Sequence, residues 1–258
     1  MLRSGLLLLL VLAAPAFAAG PLVVVDPGHG GEQTGASGPE GLIEKNLALA
    51  IAKKVKAQLE KELQATVVLT RDKDALVHLS ERVLAANKKR PDLFISIHAN
   101  SMPTAQQRRL NQGIETYFLS AAASGEEAKK VAARENAELG SQPKGASGDT
   151  LSFILADLQR SETHVDSSRL AYSIHESLIS QTGAQDRGVQ QAPFYVLMGL
   201  EAPAVLVEVG FVSHPEEAKQ LADAEYQAKL ARAITSGVKG FLEQLEARDG
   251  PSTRAKKE

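Results

Sequence analysis

The 258-residue sequence has no cysteine and no tryptophan, and only 4% of it is aromatic. Without thiols, disulfides and thiolate metal sites are both excluded. Stability must come from core packing or from a metal held by imidazole and carboxylate donors. Charge of neither sign prevails: 29 Lys and Arg stand against 31 Asp and Glu, a formal net charge of −2. That balance leaves no basic footprint for nucleic acid. The leading apolar run, Leu6 to Leu12 behind Arg3, is shorter than a bilayer requires and ends in the small-residue pattern Ala16-Phe17-Ala18. Residues 1–18 are therefore expected to be a secretory signal, leaving an exported chain with no membrane span after cleavage. Residues 20–246 have the length of one large α/β domain, and 247–258 read as a disordered charged tail. The sequence shows no internal repeat.

What is present is organised around Val23-Val24-Val25-Asp26-Pro27-Gly28-His29-Gly30-Gly31. Three β-branched residues read as a buried strand, and Pro and Gly end it abruptly, so His29 leaves the sheet at its carboxyl end. A Gly-rich loop follows, then a helix over about 42–63 with Ile43, Leu47, Ile51, Val55, Leu59 and Leu63 on one stripe. Glu44 falls on that apolar stripe, where a carboxylate needs a partner; its other explanation is the positive N-terminal end of the helix. Thr66 to Thr70 reads as a second strand and about 79–89 as a helix, with His78 solvated at its start. Leu93 to His98 is a third strand that again ends in a histidine, with Asn100 in the turn beyond.

Ile114 to Leu119 is a fourth strand, with Glu115 and Tyr117 facing away from Ile114, Thr116 and Phe118. From about 121 to 166 the pattern changes to an insertion. It holds a charged helix over about 126–139, a loose Gly- and Ser-rich link, and a short amphipathic helix bearing Leu151, Ile154, Leu155 and Leu158. A helix over about 167–181 follows, with His164 and His175 expected in solvent. Phe194 to Leu197 and Ala204 to Gly210 read as strands. The second carries Glu208 in an apolar run, where an unpartnered carboxylate costs several kcal/mol or shifts its pKa upward. Ser213 to Glu216 has capping-box spacing, which makes His214 structural, and a last helix spans about 225–245.

His29, Glu44, His98 and Glu208 thus belong to strand ends or to the helix fed by the first loop. Crevices of open α/β sheets form at those carboxyl ends. Two imidazoles and one carboxylate make a catalytic zinc set, and a second carboxylate is then available for proton transfer. The residues alone reach as far as metal-assisted hydrolysis.

The segments 23–31, Glu44 with Asn46-Leu47-Ala48, Ser96-Ile97-His98-Ala99-Asn100, and Val207-Glu208-Val209-Gly210-Phe211 carry a more specific signal. In order and spacing they resemble the zinc-dependent N-acetylmuramoyl-L-alanine amidases over nearly the whole mature chain. The resemblance implies a twisted, mostly parallel mixed sheet with helices on both faces. It implies Zn2+ on His29, Glu44 and His98, Glu208 as the catalytic carboxylate, and the muramic acid–L-alanine amide of peptidoglycan as substrate. Asn100 and Arg187 are candidate substrate contacts. With no tryptophan to stack on glycan rings, recognition is expected to fall mainly on the peptide stem.

The Ala132-to-Ala137 segment and the Leu151-to-Leu158 helix resemble the regulatory insertion of the cell-division amidases. There a helix covers the zinc until an activator of lysostaphin-like fold displaces it. By that likeness Glu135 is a candidate autoinhibitory ligand, and the expected location is the periplasm. The chain is expected to pass almost directly from the signal into the catalytic segment, without the N-terminal targeting domain of many relatives. Two rivals stand beside this reading: a zinc peptidase acting on the stem, and a non-catalytic wall- or activator-binding module. The second gives no reason to keep Glu208 inside a strand.

Overall fold

The sheet of the computed structural model contains six strands: β1 (Leu22–Pro27), β2 (Thr66–Leu69), β3 (Leu93–Asn100), β4 (Ile114–Leu119), β5 (Asp186–Ala192) and β6 (Ala204–Phe211). The structure describes residues 20–137 and 162–249. The expected signal, the Leu151-to-Leu158 helix and the chain after Asp249 lie outside the described residues. The strand order is β2-β1-β3-β6-β4-β5. The first four strands run parallel; β4 pairs antiparallel with β6, and β5 runs parallel to β4. This is the mixed, mostly parallel sheet that the resemblance implies.

Seven α-helices are described: α1 (Glu44–Leu63), α2 (Leu79–Lys89), α3 (Ala105–Leu110), α4 (Glu126–Asn136), α5 (Glu162–Thr182), α6 (Pro215–Ala222) and α7 (Ala224–Asp249). Strand alternation decides which layer each strand residue joins. Val23, Val25, Ile95, Ile97, Val205 and Val207 pack with the apolar stripes of α1, α5 and α7. Val24, Phe94, Leu206 and Tyr117 face the other way, against α2, α4 and the turn at Val196 and Leu197. With both faces covered, the central strands need apolar residues at every position, hence their unbroken hydrophobic runs.

Register then places the chemistry. His98 lies beside Glu208 across the β3–β6 pair, and Glu115 lies opposite Glu208 across the β4–β6 pair. The chain leaves β1 next to Ile97, which sets the His29 loop over the same end of the sheet.

Several expectations are corrected. Phe194 to Leu197 is not a strand: Tyr195–Leu197 forms a 3-10 turn, and the strand is the preceding segment, Asp186–Ala192. Pro193 ends the ladder, and the glutamine-rich β5 is stable because it is an edge strand, paired with β4 alone. His175 is not solvated; it is buried between Thr116 Oγ1, 3.1 Å from Nδ1, and Asp186 Oδ1, 2.9 Å from Nε2. His164 is half-buried against the Phe118 ring at 5.3 Å, and burial lowers its pKa. The cap of α6 is His214, whose Nδ1 accepts from Glu217 N at 3.2 Å, one residue after the expected Ser213. Ser213 instead accepts from Met102 N. The last helix continues to Asp249, because Arg248 pairs with Asp166 of α5 at 2.7 Å and carries the helix past the expected start of the tail.

Candidate metal centre

The β1–α1 loop brings His29 to the centre in a strained conformation. His29 has φ 59°, a left-handed value that costs a non-glycine residue about 1–3 kcal/mol. Two buried arginines hold it there. Arg82 of α2 donates Nη2 to His29 O at 2.6 Å and Nη1 to Pro27 O at 2.7 Å. Arg71 donates Nη2 to Gly28 O at 2.6 Å and Nε to Pro27 O at 3.0 Å. Arg82 also pairs with the buried Asp26 at 2.7 Å. Against the cost of burial, Arg82, Thr70 and Ser96 hold the Asp26 carboxyl below its ordinary pKa.

Arg82→Met leaves Asp26 buried without its cation, so the variant is expected to lose about 3–5 kcal/mol of stability. The loss would be read as a lower urea midpoint at unchanged m-value. A midpoint within error of wild type would show that the arginine does not support this loop.

Glu44 opens α1 with its carboxylate inward, almost fully buried. Its Oε1 lies 2.9 Å from His29 Nε2 and 3.1 Å from His98 Nδ1, and accepts from Ala99 N at 3.0 Å. Its Oε2 accepts from Ala36 N at 2.8 Å. Of the two explanations for Glu44, the geometry favours a partner over the helix end alone. Burial works against ionisation, but His29 outweighs it and the Glu44 pKa falls to about 2. The site is tight enough that a Cβ on Gly28 would collide with the His98 ring, so only glycine fits there.

The fourth donor comes from α4. Glu135 Oε2 lies 3.0 Å from His98 Nδ1 and 3.3 Å from His29 Nε2. Ala128, Val131 and Ala132 pack α4 on the sheet, and Asn136 ties its end to Pro193 O and Tyr195 N. One ligand atom each from His29, Glu44, His98 and Glu135 lies within 4.8 Å of all the others. Burial disfavours protonated imidazole, yet Glu135 and Glu44 push the His98 pKa well up.

The donor set suits a divalent cation. Two buried carboxylates facing two imidazoles need positive charge between them. The four imidazole–carboxylate separations run from 2.9 to 3.3 Å, close enough for all four side chains to offer a donor to one ion.

Glu208 stands beside this set, fully buried in β6. Among the described residues neither carboxylate oxygen has a hydrogen-bond partner, and Arg134 Nη2 lies 3.6 Å away. Burial, followed by the charges of Glu135 and Glu44, raises its pKa well above the ordinary carboxylate range. Arg134 also pairs with Glu135 at 2.9 Å and donates to Ser101 O at 3.0 Å.

The two candidate substrate contacts are less available. Asn100 is buried, with Nδ2 donating to Glu115 Oε2 at 3.0 Å and Oδ1 accepting from Ser101 N. Arg187 donates Nε to Glu115 Oε1 at 2.6 Å and lies over the Phe211 ring. Tyr117 OH completes the set on Glu115 Oε2 at 2.8 Å. Sequence reasoning placed Glu115 on the right face but gave it no role. It also missed Arg82, although Leu79, Arg82 and Ala86 have the spacing of one inward helical stripe.

An α/β sheet at whose strand ends two histidines and two carboxylates gather, with a third carboxylate beside them, is a domain with a candidate metal site at its crevice. Residues 23–240 match the N-acetylmuramoyl-L-alanine amidase family, and the chain belongs to it. It is 34% identical over 225 residues to N-acetylmuramoyl-L-alanine amidase AmiC of Escherichia coli O6:H1, covering 86% of this chain and 52% of that protein. The match to AmiA of Escherichia coli K12 is 36% over 224 residues, covering 86% and 76%. The crystal structure of an N-acetylmuramoyl-L-alanine amidase from Clostridium difficile 630 superposes with a TM-score of 0.66 at 28% identity, covering 87% of this chain and 98% of that one. The chain spans about half the length of AmiC.

Proposed function

We propose that the chain is a zinc-dependent N-acetylmuramoyl-L-alanine amidase that cleaves the amide between muramic acid and L-alanine in peptidoglycan. The observation that carries the reading is the convergence of His29, Glu44 and His98 beside the buried Glu208, whose carboxylate faces Arg134 at 3.6 Å. His29 Nε2, His98 Nδ1 and a Glu44 oxygen would hold the zinc. Bound there, it supplies Lewis-acid polarisation of the amide carbonyl and an acidified water.

Glu208 does the proton work. Its oxygens take a proton from the attacking water and return it to the departing nitrogen of L-alanine, a role worth about 10²–10⁴ in rate. A raised pKa suits both halves, since the carboxyl must first accept and then release within one cycle. Arg71 and Arg82 keep His29 in its strained pose, and burial of the whole cluster excludes bulk water.

Glu135 fills the remaining donor position and Arg134 lies against Glu208, which supports reading α4 as an autoinhibitory cover. Displacing α4 would uncover both groups at once. A protein of lysostaphin-like fold is the proposed activator. The signal reading and the family's wall substrate together favour export to the periplasm, with a part in cell division following from the likeness of the insertion. Among the described residues no helix is long and apolar enough to cross a membrane.

The test is product identity. Purified protein, as the full chain and as Glu135→Ala, is incubated with sacculi with and without a zinc chelator, and the soluble products are weighed by mass spectrometry. Intact stems with a free L-alanine amino terminus, lost on chelation and restored by Zn2+, are expected. Shortened stems would instead mark a peptidase, and chelator-insensitive release would refute the metal chemistry.

A further inference from the structure

Among the loops that follow β1, β3 and β6 lies a cavity of about 320 Å³, within the size range of ligand pockets. Its walls come from Ser37 and Gly38 on one side, Arg108 and Arg109 of α3 on another, and Ser213 with Pro215 on the third. Each wall continues a loop that serves the centre. Ser37 bridges to Ile43, the residue before Glu44, and Ala36 N is bound to Glu44 itself. The α3 helix follows the β3 end that carries His98, and Ser213 follows the β6 end that carries Glu208. Met102 N donating to Ser213 Oγ at 2.9 Å locks the last two loops together.

The cavity is electrostatically one-sided. Among the described residues no Asp or Glu lines it, although the chain as a whole carries more acidic than basic residues. The carboxylates nearest along the chain are Glu40 and Glu216, and Glu216 is tied to Lys219 at 3.0 Å. Arg108 is pre-set: Nε donates to Met102 O at 2.8 Å and Nη2 to Pro103 O at 3.2 Å, which orients the guanidinium and leaves Nη1 for a ligand. A guanidinium held in this way loses little freedom on binding a planar anion.

We propose that this cavity is a subsite for a free carboxylate of the peptide stem, with Arg108 and Arg109 as its binding residues. The inference rests on the amidase reading above and deepens it: the scissile amide sits at the metal centre while an acidic part of the stem extends along the rim into the basic cavity. Recognition then depends on peptide charge rather than on sugar stacking, in keeping with a chain that has no tryptophan.

Steady-state kinetics on a soluble muropeptide, with its stem carboxylates free or amidated, tests this. Wild type, Arg108→Ala/Arg109→Ala and Arg108→Lys are compared, each in the full chain and again with Glu135→Ala. The double variant is expected to raise KM for the free acid about tenfold or more at a kcat within about twofold, with little change on the amidated substrate. Arg108→Lys should fall between, keeping the charge but losing the fork. An unchanged KM, or equal shifts on both substrates, would overturn the subsite.

Calorimetric titration of the free stem tripeptide separates this idea from the amidase reading. Binding by the full chain that the double variant loses supports the cavity even where no amide is cleaved. Wild type that cleaves the amide while the double variant binds the tripeptide equally well would leave the amidase reading intact and remove the subsite.

Discussion

Glu208→Gln is expected to fold as wild type does and to lose about 10²–10⁴ of its hydrolytic rate, with zinc still bound. Glutamine keeps the shape of the side chain in β6 while removing its ability to carry a proton. It also places a neutral group where a buried carboxylate now sits without a hydrogen bond among the described residues, so thermal stability should hold or rise. The measurement is stem release from sacculi beside zinc content by metal analysis and the thermal midpoint. Full activity in the variant would remove Glu208 from the chemistry. Lost activity together with lost zinc would mean that it serves the metal rather than the proton.

The second large effect is a gain. Glu135→Ala takes away the fourth donor without touching His29, Glu44 or His98, and should raise basal hydrolysis about ten- to a hundredfold, equivalent to 1.4–2.8 kcal/mol of closed-state contact. Arg134→Ala should give a smaller increase, since it frees Glu208 but leaves Glu135 over the site. Ala128, Val131 and Ala132 keep α4 packed on the sheet in both variants, so the fold should survive. An activator should add little to Glu135→Ala if the contact is what it relieves. Basal activity equal to wild type would show that Glu135 is no barrier, and a fall in activity would make it part of the working site.

These expectations divide by how much of each was legible beforehand. His29 and His98 could be read from the chain because each ends an apolar run, and Glu44 and Glu208 because each interrupts one. A polar residue in a period that demands burial is visible in one dimension. Glu135 was legible only through resemblance: its helix is rich in charge, and periodicity does not say that one of those charges turns inward. Arg134, on the same helix, gave no sign that it would lie against Glu208. Asn100 was expected in the turn beyond His98; it is instead the last residue of β3, and its amide is taken up by Glu115, which nothing local could have shown.

The errors have the same origin. His175 and Asp186 sit eleven positions apart, and only the packing of α5 against β4 and β5 buries the imidazole and sets it against the exposed Asp186 carboxylate. The strand expected at Phe194 to Leu197 is as apolar as a strand should be, but those residues fill the core as a turn while the polar β5 takes the sheet edge. Local hydrophobicity measures burial and does not say which backbone shape achieves it.

The sequence by itself determined the layered α/β architecture, the strand ends where function gathers, and four of the polar groups there, because alternation and helical stripes are local consequences of burial. Tertiary structure alone decided the strand order that sets Glu208 between His98 and Glu115, the two arginines that brace His29, and the inward turn of Glu135. Those are contacts between segments far apart along the chain, fixed by how its layers close on one another.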